Sequence, residues 1–138
     1  MAIATKQMEV GQELPSVKKE ITLDRMRLFT RWVNRNIHTD WEWAKKAGLP
    51  APIAAGLMSH AYLSELLTNF FGESWLKGGK LSGVSFIRYI VPGDTITVKG
   101  IIREKVVEGS AVKFTVEVWC ENGMGEKTTI GTATASLR

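Results

Sequence analysis

Apolar and polar positions change rhythm once along this chain, and the change splits it into a helical half and a strand-rich half. Residues 16–22 alternate well enough for a short strand. Thr22 then reads as a helix N-cap, with Asp24 in the first turn where the helix dipole favours a carboxylate. Met26, Phe29 and Val33 follow at helical spacing and predict a helix over 23–33. Residues 34–39 have no period and read as a loop. Asp40 is placed to cap a short helix over 41–47 that Gly48 ends, and Pro50 and Pro52 hold an extended link. Gly56–Phe71 carries the strongest helical signal, with Leu57, Ala61, Leu63, Leu66, Leu67 and Phe70 spread over a wide apolar surface and Gly72 as the stop. Its composition predicts a central, largely buried helix.

Beyond it the period becomes two. Strands are predicted over 81–91, 95–106, Ala111–Glu121 and Lys127–Leu137. Pro92-Gly93-Asp94, Glu108-Gly109-Ser110 and Asn122-Gly123 supply the turns between them. Short turns between successive strands imply antiparallel pairing. One curved antiparallel sheet wrapped around one long helix buries both, which gives an α+β class and a single domain over residues 1–138.

Composition adds a few exclusions. The 138 residues are 44% hydrophobic and 23% charged, ordinary for a folded soluble domain. No apolar run is long enough to span a bilayer, and the N-terminal residues lack the apolar stretch of a signal peptide. The lone Cys120 excludes an internal disulfide and sits among alternating apolar residues, as a buried inert thiol does; a reducing cytoplasm fits this usage. The net charge of +4 suits solubility and also the attraction of an anionic ligand. Its basic residues are scattered, form no nucleic-acid motif, and give no reason to expect a nucleic-acid or membrane partner. No metal-ligand cluster, phosphate-cradling glycine loop or dinucleotide fingerprint is present, so neither a metal nor a bound cofactor is expected.

The middle of the chain resembles the MaoC-like family of hot-dog hydratases and dehydratases. The resemblance rests on Asn36-Ile37-His38-Thr39-Asp40, on Ala44-Lys45-Lys46-Ala47-Gly48-Leu49, on Pro52 through Met58, and on Phe86 through Pro92-Gly93-Asp94-Thr95. In order and spacing it spans roughly residues 23–105. It implies a hot-dog fold and an enzyme that reversibly hydrates a 2-enoyl thioester or dehydrates a 3-hydroxyacyl thioester. The coenzyme A or phosphopantetheine would arrive with the substrate. It implies also a homodimer or higher oligomer, or a hetero-oligomer with a second hot-dog chain.

Residue by residue, the resemblance makes His38 the acid/base, since water is a poor nucleophile until a base takes its proton. It makes the N–H groups of Gly56 and Leu57 the donors to the thioester oxygen, because a helix start offers free N–H groups and a favourable dipole. Gly56 also reads as a glycine where helix and sheet pack closely. The family's catalytic Asp lies five positions before its His; here that position is Val33, which cannot exchange a proton and is simplest as a core residue. Arg35 stands where Asn is usual, Asn36 where Pro is usual, and Ala55 replaces a His common before the glycine. Asn36, Asp40, His60 and Ser64 are further polar groups that either line such a site or serve the local backbone. Two other readings stay open: a non-catalytic hot-dog subunit supporting a catalytic partner, favoured by Val33, and a hot-dog acyl-CoA thioesterase, for which Glu65 would be the carboxylate.

Overall fold

In the computed structural model, residues 3–31 and 35–138 are described. A short strand β1 (Val17–Glu20) leads to helices α1 (Leu23–Thr30), α2 (Trp41–Lys46), α3 (Gly56–Phe71) and α4 (Glu73–Gly78), then strands β2 (Lys80–Phe86), β3 (Thr95–Glu108), β4 (Ala111–Glu121) and β5 (Lys127–Leu137). All five strands form one antiparallel sheet in the order β1-β3-β4-β5-β2, so β1 and β2 are its edges. One antiparallel sheet with one long helix is what the sequence pattern predicts, and it is the hot-dog fold that the resemblance implies.

The core lies between α3 and the sheet. Leu63, Leu66, Leu67 and Phe70 of α3 are buried together with Val98 and Ile102 of β3, Phe114, Val116 and Val118 of β4, and Ala133 and Ala135 of β5. On β4 the buried residues alternate strictly from Val112 to Cys120, the signature of a strand with one face in the core. Cys120 belongs to that row, and burial pushes its thiol up to about 12, which keeps it protonated and unreactive near neutrality. Leu57 and Ala61 are the exceptions to the apolar surface expected of α3: both are exposed, Leu57 to 71% at the first turn.

Four local outcomes differ from the sequence expectation, each with a physical reason. Helix α1 stops at Thr30, not at residue 33. Thr30 Oγ1 bonds back to the carbonyls of Met26 and Arg27, and Arg31 adopts a left-handed conformation whose N–H caps Arg27 and Leu28. Trp32 and Val33, the last residues expected of that helix, lie outside the described residues. Gly72 does stop α3, but its left-handed φ of 59° only turns the chain into α4, which the Glu73–Lys77 ion pair supports on the exposed side. Asp40 takes the extended backbone of an N-cap without capping through its side chain. Its carboxylate instead accepts from Thr39 Oγ1 at 3.0 Å and faces Arg35 at 3.8 Å.

The fourth difference positions the site. Strand β2 ends at Phe86 rather than near residue 91. The N–H groups of Ile87 and Arg88 both converge on the Thr128 carbonyl, after which the chain leaves the sheet, and Ile90 offers its carbonyl to the N–H of Ala54. The peeled segment closes at Pro92-Gly93-Asp94, where Gly93 at φ 94° donates to Ile21 and Asp94 Oδ1 accepts from Thr95 and Gly123.

Candidate active site

Departure of residues 87–90 from β5 leaves a cavity of about 380 Å³ between the peeled segment, the start of α3 and the loop before α2. His38 and Gly56, two of the three positions that the sequence singles out for chemistry, both line it, and Leu57 is not among the lining residues.

The loop holding His38 is tied at several points. Asn36 Oδ1 accepts from the His38 N–H at 2.8 Å, and the Asn36 carbonyl accepts from the N–H groups of Thr39 and Asp40. Thr39 is buried, and its carbonyl accepts from Arg27 Nε at 2.9 Å, which anchors the loop to α1. Asn36 therefore serves the turn: its side-chain oxygen is engaged with the His38 backbone, and it does not line the cavity. Asp40 likewise faces Thr39 and Arg35 rather than the cavity.

The extended link after α2 is clamped to this loop in both directions. Ile53 N–H donates to the Ile37 carbonyl at 3.0 Å, and the Ile53 carbonyl stands 2.7 Å from His38 Nδ1. A carbonyl only accepts, so Nδ1 carries the hydrogen and the neutral ring keeps its lone pair on Nε2. The backbone thereby sets the tautomer of His38 and leaves Nε2 as a proton acceptor.

Helix α3 begins at Gly56 behind Ala55, whose extended backbone gives no side-chain cap. The N–H groups of Gly56 and Leu57 have no backbone acceptor among the described residues, whereas Met58 N–H already bonds to Ala55. An uncapped start with two free donors is suited to a partial negative charge. Gly56 is also where Phe86 packs: a Cβ there would stand 3.0–3.2 Å from the Phe86 ring. Close packing and access to the backbone thus share one glycine.

His60 and Ser64 do not line the cavity. Successive helix residues point about 100° apart, and it is Ser59, not His60, that faces the same cavity as Gly56. Ser59, Thr129, Phe86, Arg88 and Tyr89 are among the lining residues missed from sequence. Arg88 sits beyond the end of β2, not within a strand, and pairs with Glu126 at 3.3 Å. Glu65 lies elsewhere, bound to Lys19 Nζ at 2.7 Å, so the carboxylate a thioesterase would need is absent from this cavity. Val33 lies outside the described residues. Trp41 and Trp43 of α2 are exposed.

This architecture defines a hot-dog protein with a histidine-lined cavity at the start of its central helix. The MaoC like domain model matches residues 5–124, and the chain belongs to that family. Solved structures agree in fold. The R-hydratase PhaJ1 from Pseudomonas aeruginosa in its unliganded form is 22% identical, covering 96% of this chain and 88% of that one, with a TM-score of 0.76. The ChsH1-ChsH2 complex from Mycobacterium tuberculosis is similar at 23% identity, 96% and 100% coverage and a TM-score of 0.77. The (R)-hydratase from A. caviae involved in PHA biosynthesis is similar at 20% identity, 97% and 100% coverage and a TM-score of 0.73. A search of curated proteins finds no match to this sequence.

Proposed function

We propose that this chain is a hydro-lyase that interconverts a 2-enoyl thioester and its 3-hydroxyacyl form. The observation that carries the reading is the His38 tether to Ile53, which fixes Nε2 as the acceptor in a cavity walled by the uncapped start of α3. In the hydration direction, Nε2 takes a proton from water as the water oxygen bonds to C3. The C2–C3 π pair shifts into the C1–C2 bond and the carbonyl π pair onto the thioester oxygen, and the Gly56 and Leu57 N–H groups stabilise that enolate. The same proton then passes from Nε2 to C2, so the sum is the addition of one water. A single histidine balances this cycle, and it does so without a carboxylate at position 33. Membership of the MaoC-like family and the fold shared with two R-hydratases support the reading. The test is incubation of the purified chain with crotonyl-CoA, following loss of the enoyl chromophore and, separately, release of free thiol. Chromophore loss without thiol is the expected result; thiol release would make the protein a thioesterase.

A second reading, a hot-dog subunit that supports a catalytic partner chain, is favoured by Val33 at the family's Asp position. It shares one expectation with the first. Phe86, Ile87 and Tyr89 are exposed apolar side chains running along and just beyond β2, an edge strand with unpaired backbone on one side. Edges of this kind are usually paired or protected. A dimer or larger assembly is therefore expected from light scattering at micromolar concentration, and a clean monomer mass would contradict both readings. An assembled chain that leaves crotonyl-CoA unchanged would favour the supporting role.

A further inference from the structure

The inner wall of the cavity carries two hydroxyl groups that neither the sequence reading nor the single-histidine cycle uses. Ser59 is 3% exposed and Thr129 is 1% exposed, and both line the cavity with His38 and Gly56. Neither hydroxyl has a hydrogen-bond partner in the protein among the described residues, yet no sealed side-chain polar atom there is left without one. The two hydroxyls are thus open to the cavity itself. Buried polar groups find partners, so these two call for a hydrogen-bonding ligand atom inside the cavity.

Their positions indicate which atom. Thr129 is the register partner of Phe86, whose ring covers Gly56. Ser59 lies three residues beyond Gly56, about 4.5 Å further along the helix axis and close to the same face. With a thioester oxygen at the Gly56 and Leu57 N–H groups, the chain running inward places C3 about 2.5 Å from the carbonyl carbon, with its oxygen one bond further. That reach is of the same order as the rise along α3 from Gly56 to Ser59. A hydroxyl both donates and accepts, so it serves a water before addition and an alcohol after it.

We infer that Ser59 and Thr129 form an oxygen-binding subsite that holds the water of hydration and, after addition, the 3-hydroxyl of the product, opposite His38 Nε2. The inference rests on the thioester reading and deepens it. The subsite orients the attacking oxygen.

The test is a binding measurement independent of turnover. His38→Ala protein, which cannot process the ligands, is titrated calorimetrically with butyryl-CoA and with each enantiomer of 3-hydroxybutyryl-CoA. One enantiomer of the hydroxyacyl thioester should bind about fivefold or more tightly than butyryl-CoA, the scale of one net hydrogen bond. Adding Ser59→Ala should reduce that preference below about twofold while leaving butyryl-CoA affinity nearly unchanged. This substitution suits a helix interior, since alanine is the better helix former. Thr129→Val, which keeps the shape and removes the hydroxyl, should act in the same direction. Equal affinity for butyryl and hydroxybutyryl thioesters, or a preference that survives both substitutions, overturns the subsite and leaves the thioester reading standing. Failure of every thioester to bind overturns both.

Discussion

His38→Ala is expected to lower the rate of crotonyl-CoA hydration at least ~100-fold, the lower end for a lost general acid/base. Nε2 is the only ring atom free for proton transfer, because Nδ1 is held by the Ile53 carbonyl at 2.7 Å. Removing the ring removes both the acceptor of the water proton and the donor to C2, so both half-reactions lose their catalyst. The fold should survive. The Ile53 N–H to Ile37 carbonyl bond, the Asn36 turn and the Arg27 anchor on Thr39 all hold the loop without the ring. One partly buried hydrogen bond is lost, worth about 1 kcal/mol, so the melting temperature should shift only a few degrees. His38→Gln gives a sharper version, since an amide keeps a donor but cannot carry the proton at neutral pH. Full activity in either variant would place the chemistry on other residues and remove the basis of the proposed cycle.

Much of the framework was legible because it is written in local rules. Thr22 accepts from the Arg25 N–H at 3.1 Å as its N-cap position demands. Gly56–Phe71 and the two strands Ala111–Glu121 and Lys127–Leu137 run between the predicted ends, since their periods are long and their stops are glycines or turn dipeptides. The departures came from contacts between distant segments. Ile87 and Arg88 sharing the Thr128 carbonyl, and Ala54 reaching Ile90, are tertiary facts that no alternation along residues 81–91 reveals. Helix α4 is too short and too exposed to show a period, and the Trp75 ring leaves no room for a Cβ at Gly79 just beyond it.

The candidate site divides in the same way. His38 and Gly56 stand out in sequence because a loop histidine and a helix-starting glycine fall in a recognisable order. Ser59 and Thr129 do not, because a serine in a helix and a threonine in a strand are ordinary until the fold turns both toward one cavity. Helical phase was the available signal for Ser59. Gly56, Ser59, Leu63 and Leu66 share one face of α3, and Ser59 is the polar residue on that face, which His60 and Ser64 do not share. Asn36 and Asp40 were polar neighbours of His38 in sequence, but the turn itself uses their hydrogen-bonding capacity.

Leu66→Ala should cost about 2–5 kcal/mol, the usual range for deleting a fully buried leucine. Leu66 is 1% exposed on the sheet side of α3 and belongs to the same core as Ile102, Phe114, Val116 and Val118. Truncation removes apolar area from the core and leaves a space that β-branched and aromatic neighbours on a hydrogen-bonded sheet fill poorly. Phe70 and Phe71 limit collapse further, since their rings meet edge to face at 4.9 Å and Phe71 contacts Phe114 at 6.5 Å. Urea denaturation reads the effect as a lower midpoint with an unchanged slope. Leu57→Ala, on the same helix but 71% exposed, is the internal control and should shift stability by less than about 0.5 kcal/mol. Equal effects at the two positions would mean that α3 does not pack on the sheet through the Leu66 face. The cavity geometry would fall with it, because the same helix phase turns Ser59 into the cavity that His38 lines.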